Sequence, residues 1–218
     1  NTFGAVAGTM IATFVLAPAI GFTWTLVALA VANYACAALV SIATGRSRTQ
    51  APQRAGATVN GAARLSITLV LTGLVGIGYE VVVIRVLSQV LENTVYTFAS
   101  LLSVYLFGTA VGAALYQRYA PRKRFRATLA WLLQGLALTS LLGVGLLWVS
   151  DNIYGGLTGW LGSRYSTGIA AELLVALAVF LMPTLFMGAT CTHLLQAARE
   201  EFGVGRALGL NTLGGWDW

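Results

Sequence analysis

Glu80, Arg85 and Glu172 are charged residues set inside stretches that are otherwise apolar. A charge at membrane depth costs about 2.5–3.5 kcal/mol on insertion scales, so such residues persist where they pair, bind or carry a proton. Five residues at 100° each put Glu80 and Arg85 about 140° apart on one helix. They are not a same-face pair, and contacts between helices, Glu172 with Arg85 or Glu80 with Arg85, are the arrangements open to them. The plain reading is an ion pair that fixes packing, with Arg85 snorkelling to the interface. The functional reading is a binding or proton-coupling site. The single histidine, His193, has no Cys, Asp or Glu at ligand spacing and is expected at an interface. Cys36 and Cys191 match no metal spacing and read as apolar packing residues. No Walker A, no GxGxxG after a strand-like run, no HExxH and no serine nucleophile motif occurs. The chain therefore carries no recognisable catalytic residue and no metal site, and no cofactor is expected in it.

The elements that must hold these residues are membrane helices. Hydrophobic residues make up 57% of the 218 and charged residues 9%, against roughly 25% charged in a soluble domain; mean hydropathy is +0.78. A surface so poor in charge cannot be solvated, so it faces lipid or other helices. The net charge of +6 sits between apolar runs, where it sets topology. Nucleic acid is not an expected partner; the lipid bilayer is.

Apolar segments are expected at about 2–22, 23–44, 64–91, 96–116, 127–149 and 168–189, each near the 20 residues a bilayer requires. The short turn between the first two predicts that they pack antiparallel. Gly4 with Gly8, and Gly108 with Gly112, have the small-xxx-small spacing that admits a close neighbouring helix. Pro183, ahead of Met187-Gly188-Ala189, predicts a kink or wide turn at the end of the sixth segment. Residues 191–202 read as a separate amphipathic helix, and a seventh segment starts near Leu208. The stretch 150–167, with Tyr154, Trp160 and Tyr165, reads as a short interfacial piece.

Alternating the segments puts the linker with Arg64 (45–64), the loop 118–126 and the stretch 191–205 on one side, and those three hold ten of the 13 Lys and Arg. The positive-inside rule makes that side cytoplasmic. The expectation is thus an all-α polytopic transmembrane bundle of about six full spans plus the start of a seventh, in the inner membrane of a bacterium. Asn1-Thr2-Phe3-Gly4 echoes Asn211-Thr212-Leu213-Gly214, which predicts tandem six-span repeats. Residues 1–44 would close one repeat, 45–63 would be a cytoplasmic basic linker, and 64–218 would hold the first four spans of the next, the amphipathic helix and a truncated fifth. Both ends read as cut, so the chain is expected to be a fragment.

Several short motifs follow one another in order: Gly78-Tyr79-Glu80-Val81 with Ile84-Arg85, then Asn93-Thr94-Val95-Tyr96-Thr97-Phe98 and Leu106-Phe107-Gly108-Thr109-Ala110-Val111-Gly112. Pro183, Met187-Gly188-Ala189-Thr190, Gly205-Arg206-Ala207-Leu208-Gly209 and Asn211-Thr212-Leu213-Gly214 continue the series. The opening Asn1 to Gly8, with Leu16-Ala17-Pro18 and Gly21, looks like the end of a preceding repeat. Together they resemble the membrane region of bacterial membrane-fused spermidine synthase-like proteins (fused transporter/spermidine synthase). That resemblance implies a following cytoplasmic aminopropyltransferase-like domain of Rossmann type, using decarboxylated S-adenosylmethionine and a polyamine acceptor. Its site motifs are not in this chain, so no catalytic residue carries over. The chain departs from the pattern at Gly215-Trp216-Asp217-Trp218. The expected role is membrane anchor or polyamine-related transport module, with a C-terminal synthase-like domain or other membrane subunits as partners. The alternatives are a fragment of a major-facilitator-like transporter and a non-catalytic structural subunit of a larger membrane complex.

Overall fold

A computed structural model describes residues 2–44, 59–91, 94–119, 125–161, 165–201 and 204–213. Among them the chain is helical throughout, without a strand: α1 (Thr2–Ile11), a π-helical turn (Ala12–Leu16), α2 (Ala17–Thr44), α3 (Val59–Val90), α4 (Val95–Tyr119), α5 (Phe125–Trp148), α6 (Ser150–Leu161), α7 (Tyr165–Glu201) and α8 (Val204–Leu213). Five helical runs are long and apolar enough to cross a bilayer: Gly4–Cys36, Ala62–Val90, Val95–Tyr119, Phe125–Trp148 and Gly168–Arg199. Their outward faces carry bulky apolar side chains, as at Trp131 and Leu141, which are 76% and 71% exposed. Exposure on that scale would be costly in water, and it is what a lipid-facing surface requires.

The first two expected segments are divided close to the expected boundary, at Gly21, but they do not pack as an antiparallel pair. Pro18 has no N–H to give the Phe14 carbonyl four residues back, and its ring crowds that carbonyl. The helix answers by widening one turn, so that the Ala17 N–H bonds to the Ala12 carbonyl. Gly21 then leaves helical geometry at φ 77°, ψ 164°, a region open essentially to glycine alone. Among the described residues, α2 packs on no other element except the π turn, so the expected antiparallel pairing of 2–22 with 23–44 is not found.

The centre of the bundle is α4 against α7. The two run parallel: Thr97 meets Glu172 near one end, Gly108 lies against Thr184 in the middle, and Tyr116 meets His193 near the other end. α5 runs antiparallel to α7, with Gly135 under the Phe186 ring and Gly143 beside Val179. α3 joins one core cluster through Val83, Leu87 and Leu91, which pack with Leu101, Leu147, Val175 and Phe180. Its other end joins a second cluster through Leu65 and Leu69, with Leu194, Ala198 and Ala207. α8 packs along α3, where Gly73 sits on the backbone of Asn211. α6 is about 18 Å long at 1.5 Å per residue, too short to span, and it covers the Val83–Phe180 cluster through Ile153, Tyr154 and Leu157.

Three boundaries differ from expectation. Residues 59–63, expected in the linker, are the first turn of α3. The separate amphipathic helix at 191–202 does not exist as such, because its residues up to Glu201 are the end of α7, which continues unbroken through Pro183. α8 begins at Val204, four residues before the expected start. The basic residues Arg46, Arg48, Arg54, Arg122, Lys123 and Arg124 lie outside the described residues, as do Asn1 and Gly214 of the four-residue echo.

Candidate functional site

The survival of α7 through Pro183 has a local cause. Proline withholds the N–H that would have bonded to the Val179 carbonyl. The Tyr79 hydroxyl, reaching from α3, donates to that carbonyl at 3.3 Å. Gly143 on α5 makes room, since a Cβ there would run into the Tyr79 phenol. Tyr79 also sets its ring edge-on to Phe180, with centroids 6.3 Å apart. Three helices thus repair one missing hydrogen bond, as membrane interiors require.

The two acidic candidates occupy different surroundings. Glu172 is buried on α7, and Thr97 donates to its Oε1 at 2.9 Å. Thr97 belongs to the first turn of α4, where Thr94 caps the helix: the Thr97 N–H bonds to Thr94 Oγ1 and the Thr94 N–H to Thr97 Oγ1. Since Thr97 gives its own hydroxyl proton to Glu172, the 3.0 Å contact between the two threonine hydroxyls has Thr94 as donor. A carboxylate against the first turn of a helix also meets the positive end of its dipole. Glu80 is half-buried on α3. On α4, Tyr105 lies edge-on to Phe180, 6.2 Å between centroids.

Arg85 does not join either acid among the described residues; it is exposed on α3. The expected Glu172–Arg85 and Glu80–Arg85 contacts are therefore absent among the described residues, and at Glu172 the Thr97 hydroxyl of α4 takes the place assigned to the arginine. Gly108 and Gly112 lie directly on α7, a Cβ at either colliding with Thr184 or with the Leu185 backbone, and Gly188 lies reciprocally on Thr109. Gly4 and Gly8 face open space with nothing within 4 Å, so the close approach expected there is not made among the described residues.

His193 is not a loosely placed interfacial residue. It is buried, with Nδ1 2.5 Å from the Tyr116 hydroxyl and Nε2 3.1 Å from the Phe125 carbonyl. A carbonyl only accepts, so the proton is on Nε2 and Nδ1 receives the Tyr116 hydroxyl. The imidazole stacks on the Phe125 ring at 4.4 Å and 16°. One side chain thereby ties α7 to the last turns of α4 and the first residue of α5.

Thr97, Tyr105 and Tyr116 were not singled out by sequence. All three fall, with Gly108 and Gly112, within roughly 100° on α4. A stripe of hydroxyl and small residues on one side of an apolar span is a signal that periodicity contains. Among the described residues no group of three or more His, Cys, Asp and Glu could hold a metal. No family model matches the chain, and neither a curated protein nor a solved structure is significantly similar to it.

Proposed function

We propose that the chain is a membrane anchor and scaffold, the membrane module of a spermidine synthase-like protein, which holds a partner domain at the cytoplasmic face. The observation that carries the scaffold reading is the α4–α7 seam. Gly112 and Gly188 rest on the backbone of Leu185 and Thr109, and Gly108 rests on the Thr184 side chain, which leaves no room for solute between the helices that form the centre of the bundle. The polar pairs, Thr97–Glu172 and Tyr116–His193, lie at the two ends of this closed stretch, about 29 Å apart along α4. A transporter needs convergent polar groups at the midplane, and a dry seam suits a rigid support. The identity of the partner as a synthase-like domain rests on the motif series alone.

Arg64, Arg118, Arg126, Arg199 and Arg206 fall at the helix ends gathered around His193 and the Leu65–Ala207 cluster. The positive-inside rule supports placing that end in the cytoplasm of a bacterium. The bend at Gly21 supports a sixth span. Phe14 packs on Tyr96 at the start of α4, so Gly21 stands near the opposite boundary, and a chain turning there returns residues 22–44 into the bilayer.

Reporters fused after Glu201 test the arrangement: a fluorescent protein should be bright there and alkaline phosphatase inactive, and the reverse result removes the orientation. For the role, purified protein in vesicles should pass no radiolabelled putrescine or spermidine above protein-free controls. Saturable flux would replace the scaffold with a transport module.

A further inference from the structure

Arg64, Arg126, Arg199 and Arg206 belong to different helices, yet each has the same relation to one apolar cluster. Leu65 of α3, Ala198 of α7 and Ala207 of α8 are buried in that cluster, and Leu129 of α5 packs against it. Arg64 precedes Leu65, Arg199 follows Ala198, Arg206 precedes Ala207, and Arg126 lies one turn before Leu129. α3, α5 and α8 start at this end of the bundle and α7 finishes there. On every helix the arginine is therefore on the outer side of the cluster residue, and all of these arginines are exposed. The apolar runs stop at the same level. Ala62–Val90 has Arg64 just inside its start, Phe125–Trp148 has Arg126 just inside its start, and Gly168–Arg199 ends on Arg199.

Little negative charge offsets them. The acids beside these arginines in sequence are Glu200 and Glu201. Arg118 adds a further cation at the end of α4, its guanidinium 5.8 Å from the Tyr119 ring centroid. None of α3, α5 and α8 has an acid in its first turn, so the positive ends of their dipoles add to the same field. Arg206 already has a contact within the chain, so an incoming anion falls to Arg64, Arg126 and Arg199. Below Arg64 the surface changes character. Ile67, Leu71 and Val75 follow it at helical spacing on one side of α3 and are 60%, 53% and 56% exposed. From Arg64 to Val75 the helix rises about 16 Å, close to half of a hydrocarbon core of about 30 Å. A cation thus heads an apolar track as long as one leaflet is deep.

We propose that this end of the bundle binds an anionic phospholipid: the headgroup phosphate rests among Arg64, Arg126 and Arg199, and an acyl chain runs down the Ile67–Val75 track. Guanidinium groups suit a phosphodiester because they donate paired N–H groups to two oxygens at once. The apolar track selects a lipid over a free phosphate or an acidic protein segment, neither of which has a chain to lay along it. The proposal is independent of the scaffold reading and of which side of the membrane this end faces.

Native mass spectrometry of the detergent-solubilised protein tests it, with phosphatidylglycerol and phosphatidylcholine of the same chains titrated separately. Phosphatidylglycerol should bind about tenfold more tightly, roughly the worth of one charge-assisted hydrogen bond, and raising the ammonium acetate concentration should shrink the preference. Arg64→Gln, Arg126→Gln and Arg199→Gln should each reduce it, and the three together should abolish it. Arg85→Gln, towards the far end of α3, should leave it unchanged. Glycerol phosphate, a headgroup without chains, should displace the lipid only at concentrations about 100-fold higher or more, since each buried methylene adds to the lipid's affinity. Equal affinity for the two lipids overturns the proposal on the unaltered protein, whatever the variants do. An undiminished preference in the triple variant, or an equal loss in Arg85→Gln, also overturns it. So does displacement at lipid-like concentrations by glycerol phosphate, which would leave a bare anion site, or by a polyglutamate peptide, which would leave a docking site for an acidic protein.

Discussion

Tyr79 shows how much one hydroxyl does in this bundle. It occupies the carbonyl that Pro183 leaves open, and it does so from another helix. Removing it with Tyr79→Phe should leave the Val179 carbonyl unsatisfied, at a cost of about 1–3 kcal/mol. Pro183→Ala returns an N–H to the same carbonyl, so the two substitutions together should cost clearly less than their sum; a double-mutant cycle of unfolding in detergent measures the coupling. Additive losses would mean that Tyr79 does not serve this carbonyl. At His193 the expected state is the neutral tautomer with the proton on Nε2, observed as imidazole ¹⁵N shifts. Tyr116→Phe should remove the hydrogen-bonded shift at Nδ1 while leaving that at Nε2. The sequence marked Glu80, Glu172 and Pro183 as notable because a charge or a proline in an apolar span is conspicuous. It could not name Thr97 as the partner of Glu172, or Tyr79 as the hydroxyl that serves the carbonyl opposite Pro183. A tyrosine in a membrane helix is an ordinary residue until its facing helix is known, and the arginine that charge complementarity nominated points away.

At the level of single helices, glycine decides which faces meet. Gly108→Ala or Gly112→Ala puts a Cβ into Thr184 or the Leu185 backbone, and each should cost about 1–3 kcal/mol as overpacking. Gly76→Ala meets nothing within 4 Å and should be neutral or raise stability by about 0.5–1 kcal/mol, the helix propensity of alanine over glycine. Thermal melts in detergent separate the two groups, and equal effects would contradict the seam. The spacing rule found the Gly108–Gly112 pair and equally the Gly4–Gly8 pair, because spacing states what a face permits and not what covers it. Helix ends were legible for α4 and α5 to within a few residues, where polar and basic residues bracket the apolar run. They were illegible at Cys191, where hydrophobicity falls but nothing stops the backbone, so α7 continues to Glu201.

For the whole molecule the membrane class was legible from composition alone, since 9% charged residues cannot clothe a water-facing surface. The pairing of helices was not. Alternating topology requires α4 and α7 to point the same way, yet it does not say that they touch. A prediction belongs to this scale. Because Glu172 and His193 pin the two ends of the α4–α7 pair, Thr97→Val with Tyr116→Phe should loosen both ends together. Hydrogen exchange should then rise at Thr94–Ala99 and at the α4 terminus while the glycine seam between stays protected; uniform loss of protection would mean that the seam has no stability of its own.

The parallel pairing of α4 with α7 also bears on how the chain is made. Its two partners are separated by roughly 70 residues between Tyr119 and His193, and at ~5–20 residues per second translation needs ~4–15 s to bridge them. Throughout that interval α4 waits with Thr97, Tyr116 and its bare glycine face uncovered in the translocon or the lipid. Newly made α4 is therefore the stretch on which an insertion chaperone has the longest time to act, and a ribosome stalled before Tyr165 would leave it without a mate.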